Sequence, residues 1–143
     1  MSPSRQFRTH SANETIAVGR LLSNFLQPGQ LVILRGNLGA GKTTLVKGIA
    51  EGFNAALQEN VTSPTFTLVH EYRSPQVILF HIDLYRIDTD RELMTLGIED
   101  LRSEPSSLLL VEWGDKFEKI VSESDAEIAI ERTGESERLI LHR

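Results

Sequence analysis

The chain has no cysteine among its 143 residues. That excludes a disulfide scaffold, a thiolate zinc centre and a cysteine nucleophile, and it suits a reducing cytoplasm. No apolar run approaches the length of a membrane span. Basic residues are outnumbered, with 15 Lys and Arg against 20 Asp and Glu, for a formal net charge of −5. A protein that grips nucleic-acid phosphates presents a basic field. No cluster of Lys and Arg supplies one, so strong direct nucleic-acid binding by this chain alone is not expected. Residues 1–10 carry basic residues with no apolar core after them, unlike a secretory signal. They read as a flexible tail.

What is present suffices for one folded domain over residues 1–143, with 40% hydrophobic and 24% charged residues. Ser11-Ala12-Asn13-Glu14 has the spacing of a helix capping box. Apolar pairs then recur every four residues, which predicts an amphipathic helix over 13–25, ended by Pro28-Gly29. Residues 31–34 form a short apolar run that reads as a buried strand, and 44–50 read as a helix closed by Gly52. Residues 65–72 and 77–82, separated by a turn at Arg73-Ser74-Pro75, read as a hairpin. A short helix is expected over 90–96, capped by Thr89 or Asp90. Residues 108–111 suit a central parallel strand, and 116–121 a helix. Residues 127–130 and 138–142 read as a terminal hairpin. Interleaved strands and helices with added hairpins predict an α/β three-layer domain. Its sheet would be mixed and mainly parallel, with a ligand at the C-terminal ends of the parallel strands.

The strongest chemical signal is Gly36-Asn37-Leu38-Gly39-Ala40-Gly41-Lys42-Thr43, a complete G-x-x-x-x-G-K-[ST] phosphate loop. Its glycines let backbone N–H groups turn inward around phosphate oxygens. Lys42 can place its ammonium on the β- and γ-phosphates, and Thr43 can give its hydroxyl to Mg²⁺. The helix beginning here, through Thr44, turns its positive end toward the anion. The cofactor-binding set is therefore Asn37, Leu38, Gly39, Ala40, Gly41, Lys42, Thr43 and Thr44. Neither Asn-Lys-x-Asp nor a suitably placed Asp-x-x-Gly is present, so ATP or ADP is expected rather than GTP.

Hydrolysis also needs a carboxylate near Mg²⁺, a means of placing water and charge to stabilise the phosphate in flight. Glu112 ends the apolar run 108–111 and can hold Mg²⁺ or its bound water, or can simply reach solvent. Asp83 follows 77–82 and can bind magnesium or polarise water, or can make a surface salt bridge. Arg86 can meet a phosphate or cap a carboxylate. Thr62, Ser63 and Thr65 place three hydroxyls in one loop, where a γ-phosphate sensor or an ordinary turn both fit. Trp113, the single tryptophan, can pack in the core, shield the site or meet a partner. His10, His70, His81 and His142 lack metal-ligand spacing and suit core or surface roles.

The ordered motifs GNLGAGKTT, SPTFTLVHEY, HIDLYR, LGIEDL and LVEWGDK together resemble the bacterial TsaE family (formerly YjeE) over residues 11–116. The resemblance implies a slow Mg-dependent ATPase of tRNA threonylcarbamoyladenosine synthesis. It implies Lys42, Asp83 and Glu112 as catalytic residues, with Thr43, Asp83 and Glu112 on the magnesium side. Ser11 and Thr15 would border the adenine, Arg138 would be a basic residue near the nucleotide, and SPTF would act as a switch segment. The implied partners are the transferase subunit TsaD and its companion TsaB. Asn37 departs from the family's usual Asp, at a position that contributes backbone. Two other readings stand beside this one. A small-molecule kinase of the same fold would need an arginine-rich lid, and no such cluster appears after Glu118. A binding module using ATP only as a switch is the other.

Overall fold

In a computed structural model describing residues 4–143, the apolar runs become the middle of a seven-stranded sheet. In chain order the strands are β1 (Arg5–Thr9), β2 (Leu31–Arg35), β3 (Val69–Arg73), β4 (Ile78–Asp83), β5 (Ser107–Glu112), β6 (Ala126–Arg132) and β7 (Arg138–His142). Their order across the sheet is β1-β7-β6-β2-β5-β4-β3. The central strands β6, β2, β5 and β4 are parallel, whereas β7 and β3 add antiparallel to them. Strand β1 is antiparallel to β7 and so runs with the centre. The expected mixed sheet is therefore present, with a parallel centre of four strands and antiparallel additions at both edges.

Successive strand side chains face opposite layers. Leu108 and Leu110 of β5 join Val32 and Leu34 on one face, under α1 (Ala12–Leu22) and α2 (Lys42–Gly52). Leu109 and Val111 join Ile33, Phe80 and Ile82 on the other. There α3 (Asp90–Thr95), α4 (Ile98–Ser103) and α5 (Glu118–Glu123) contribute Leu93, Ile98 and Ile120. Central strands buried on both faces have no polar side to show, which is why 31–34 and 108–111 are continuously apolar.

The structure corrects the sequence reading at several points. Residues 5–9 of the expected tail form β1, which pairs with β7 from Arg5 opposite His142 to Thr9 opposite Arg138. Residues 1–3 of the expected tail lie outside the described residues. Ser11 does cap α1 by accepting the Glu14 N–H, but the Glu14 carboxylate accepts from the His10 N–H rather than from Ser11. Helix α1 ends at Leu22, short of residue 25. The hairpin's first strand begins only at Val69, because 65–67 turn and Leu68 takes a left-handed φ of 71°. Thr89, not Asp90, caps α3. Helix α4 was not expected.

Candidate functional site

The phosphate loop leaves the C-terminal end of β2 and enters α2 through Gly41, whose φ of 108° is a conformation L side chains rarely adopt. Gly36 is needed for a different reason. A Cβ there would lie 2.8 Å from the Ile130 carbonyl oxygen of β6. No side chain caps the first turn of α2, and that turn contains no acidic residue. Its N–H groups and dipole are thus open to an anion. Asn37, Leu38 and Gly39 are exposed, Ala40 is buried, and Thr43 and Thr44 are half-buried on the first turn.

Lys42 is only 6% exposed. Its Nζ donates to the Gly36 carbonyl at 2.6 Å, lies 3.4 Å from Glu112 Oε1 and sits 4.5 Å from the centre of the Trp113 ring. The ammonium is therefore held at the loop by one carbonyl, one carboxylate oxygen and one aromatic face.

Asp83 and Glu112 are opposite one another at the ends of the neighbouring parallel strands β4 and β5. Both are buried. Glu112 therefore does not simply reach solvent, and Asp83 is not a surface ion pair. His81 Nε2 donates to Glu112 Oε2. Burial works to raise the Glu112 pKa, but the His81 hydrogen bond and the Lys42 charge outweigh it and hold the carboxyl below the usual range. Asp83 accepts from the Thr65 hydroxyl and from the Tyr85 N–H, both at 2.9 Å. Thr65 is in turn 2.8 Å from Ser63 Oγ. The loop of hydroxyls is thus tied to the acid at the end of β4.

Trp113 follows Glu112 with a φ of 60°, which swings its ring against Lys42 and to 5.2 Å from the Tyr85 ring. It is half-buried, packing against the Ile33–Phe80–Val111 side of the core while also lining the cavity beside the loop. A cavity of about 600 Å³ runs along the loop's outer flank, lined by residues 36–40, Trp113, Ile130 and Arg132. Arg138 Nε donates to the Ala40 carbonyl at 2.8 Å, so its guanidinium braces the loop from outside. Arg86 does not cap Asp83; it lies 5.1 Å from the ring of Phe66, which is itself 82% exposed. Ser11 is spent as the α1 cap, and buried Thr15 pairs its hydroxyl with Thr9 at 2.8 Å. Neither makes a hydrogen bond to the phosphate loop among the described residues.

The donor set suits Mg²⁺. The Thr43 hydroxyl and the two carboxylates are all hard oxygens, and Mg²⁺ is commonly bound through one or two carboxylates plus phosphate oxygens and water. Among the described residues no group of three or more His, Cys, Asp or Glu could hold a metal alone. A metal here would depend on a phosphate ligand arriving with it. Two features escaped the sequence reading: His81 as the partner of Glu112, and the backbone N–H of Tyr85 on Asp83. The shared strand face of His81 and Asp83 was the available signal for the first, and the tendency of Asp to accept from the N–H two residues on was the signal for the second.

The family model described as Threonylcarbamoyl adenosine biosynthesis protein TsaE matches residues 9–140. The chain belongs to the TsaE family. It is 38% identical over 135 residues to the Bacillus subtilis tRNA threonylcarbamoyladenosine biosynthesis protein TsaE, covering 94% of this chain and 82% of that one. The protein of the same name from Haemophilus influenzae is 40% identical over 111 residues, covering 78% of this chain and 68% of the relative. A solved structure, "Crystal structure of Bacillus subtilus YdiB", aligns with a TM-score of 0.76 at 33% identity, over 99% of this chain and 86% of that one. The family is thus one named for tRNA threonylcarbamoyladenosine biosynthesis, and the α/β phosphate-loop fold is shared.

Proposed function

We propose that this chain binds ATP and ADP with Mg²⁺, hydrolyses ATP slowly, and acts as a nucleotide-dependent partner of TsaB- and TsaD-type proteins in tRNA threonylcarbamoyladenosine synthesis. The observation that carries the reading is Lys42. Its buried ammonium stands at the start of α2, whose first turn has no side-chain cap and no acidic residue, between the Gly36 carbonyl and Glu112. In this reading the amides of residues 38–44 hold the β-phosphate, and Lys42 reaches the β- and γ-phosphates. Arg138 keeps the loop in shape through Ala40, and Ser11 and Thr15 lie toward the base. Thr43, Asp83 and Glu112 would hold Mg²⁺, which would supply positive charge to neutralise the phosphates. Asp83 orients the attacking water, and Thr65 follows the state of Asp83 through their hydrogen bond. Trp113 and Tyr85 shield the site.

No helix among the described residues is long and apolar enough to cross a membrane, and the chain is acidic overall. The acidic charge supports protein partners over direct attachment to RNA. The test is co-purification with TsaB- and TsaD-type proteins, with and without ATP and Mg²⁺, together with a reconstituted modification assay. The reading expects nucleotide-dependent capture and loss of modification with Lys42→Ala. Full modification by that variant would refute it.

A further inference from the structure

His81 is completely buried, yet it is a polar residue in the middle of a central parallel strand. It stands opposite Leu110 in the register, two residues before the Asp83–Glu112 pair. It therefore shares a face with both acids and reaches Glu112 diagonally. The two oxygens of Glu112 have different partners. Oε2 accepts from His81 on the inner side, and Oε1 faces Lys42 at 3.4 Å on the outer side. Because the carboxylate only accepts, Nε2 carries the imidazole proton, and Nδ1 has no hydrogen-bond partner among the described residues. Buried polar atoms without partners are rare and costly. An apolar side chain would fill the position without that cost, so packing alone does not account for a histidine here.

We propose that His81 is a positioning residue that anchors Glu112 from within, so that Oε1 stays turned toward the metal side and Lys42 remains only loosely paired with that carboxylate and available to phosphate. Without this anchor, a buried carboxylate with one charged neighbour would turn both oxygens onto Lys42. The ammonium would be withdrawn from the phosphate, and the carboxylate from the metal. The assignment rests on the nucleotide reading above and adds a residue to it.

The experiment is calorimetry of ADP binding at increasing MgCl2, alongside a metal-free titration, for the wild type, His81→Leu, His81→Gln and the double variant His81→Leu/Glu112→Gln. His81→Leu is expected to raise the Mg²⁺ concentration for half-maximal effect by about ten- to a hundredfold, the usual consequence of losing a residue that orients a metal ligand. Glutamine places an amide N–H near the position of Nε2, so His81→Gln should recover to within about threefold of the wild type. In the Glu112→Gln background, His81→Leu should change the Mg²⁺ response by less than about twofold, since the two act as a unit. An unchanged Mg²⁺ response in His81→Leu overturns the assignment, and so does equal impairment of the leucine and glutamine variants. Should His81→Leu not fold, the glutamine variant and the wild-type Nε2–H signal decide. That proton must be protected from solvent exchange and coupled to Glu112 in ¹⁵N-labelled protein, and its absence overturns the assignment. A wild type without Mg²⁺-dependent binding removes the nucleotide reading and this assignment together. A wild type that responds, with a leucine variant that matches it, removes the assignment alone.

Discussion

Replacing Gly48 by alanine should loosen the whole phosphate-loop layer. Helices α1 and α2 cross with Gly19 against Gly48. A Cβ on Gly48 would lie 2.0 Å from the Ile16 carbonyl oxygen and 2.9 Å from Gly19 Cα. Ordinary contact begins near 3.4 Å, and the obstacle is backbone, so no side chain can swing aside. The helices must part by more than an ångström. Overpacking of this kind costs about 1–3 kcal/mol, and a backbone clash belongs at the upper end. Alanine returns about 1 kcal/mol through its better helix propensity, leaving a net loss of about 2 kcal/mol. For a chain of this size that lowers Tm by about 8 °C. Thermal unfolding followed by circular dichroism measures it, with Lys47→Ala on the same helix as a control expected to stay within about 2 °C. A Gly48→Ala variant as stable as the wild type would refute the close crossing. Since α2 begins at Lys42, the same displacement should also weaken nucleotide binding.

Asp83→Ala should leave nucleotide binding measurable by calorimetry while phosphate release falls by about a hundredfold. Equal turnover in that variant would remove Asp83 from the chemistry. Thr65→Val deletes the hydroxyl that donates to Asp83 at 2.9 Å. Hydrogen–deuterium exchange of residues 65–68 should then quicken by about tenfold, since a hydrogen bond to a carboxylate is worth about 1.5 kcal/mol. Stability should also fall on the acid side of neutrality because of His142. Burial, and then the Arg5 charge, hold its pKa below the ordinary histidine value, so the folded state favours the neutral ring. Its contribution is complete above the unfolded pKa of about 6.5 and is lost as pH falls through the folded value. Urea midpoints between pH 8 and 5 should therefore drop more for the wild type than for His142→Gln, and equal slopes would contradict this.

The phosphate loop was legible because its chemistry lies in eight consecutive residues between an apolar run and a helix. Glu112 and Asp83 were legible as acids at the ends of apolar strands. The sequence did not reveal that they are register partners, because that depends on β4 and β5 lying side by side. Strand β1 was missed for a similar reason. Arg5-Gln6-Phe7-Arg8-Thr9 has one strongly apolar residue, and its partner β7 lies at the opposite end of the chain. No local pattern encodes such a pairing. The turn at 65–68 was read as strand because Thr, Phe and Leu are β-prone. The hydrogen bond from Thr65 to Asp83 and the left-handed Leu68 override that tendency. Helix α4 has six residues, fewer than a periodic pattern needs to stand out. Arg138 was expected at the nucleotide through resemblance. The structure gives it a bracing contact with Ala40, a role that depends on the β6–β7 turn reaching the loop.

The central claim is that the hollow between the start of α2, Lys42 and the paired acids holds the phosphates of an adenine nucleotide. The most direct measurement is titration calorimetry of the full chain with ATP and MgCl2, in parallel with Lys42→Ala. The account predicts one nucleotide bound per chain by the wild type and no measurable heat from the variant. A wild type that releases no heat of binding, or a Lys42→Ala variant that binds equally well, would contradict it.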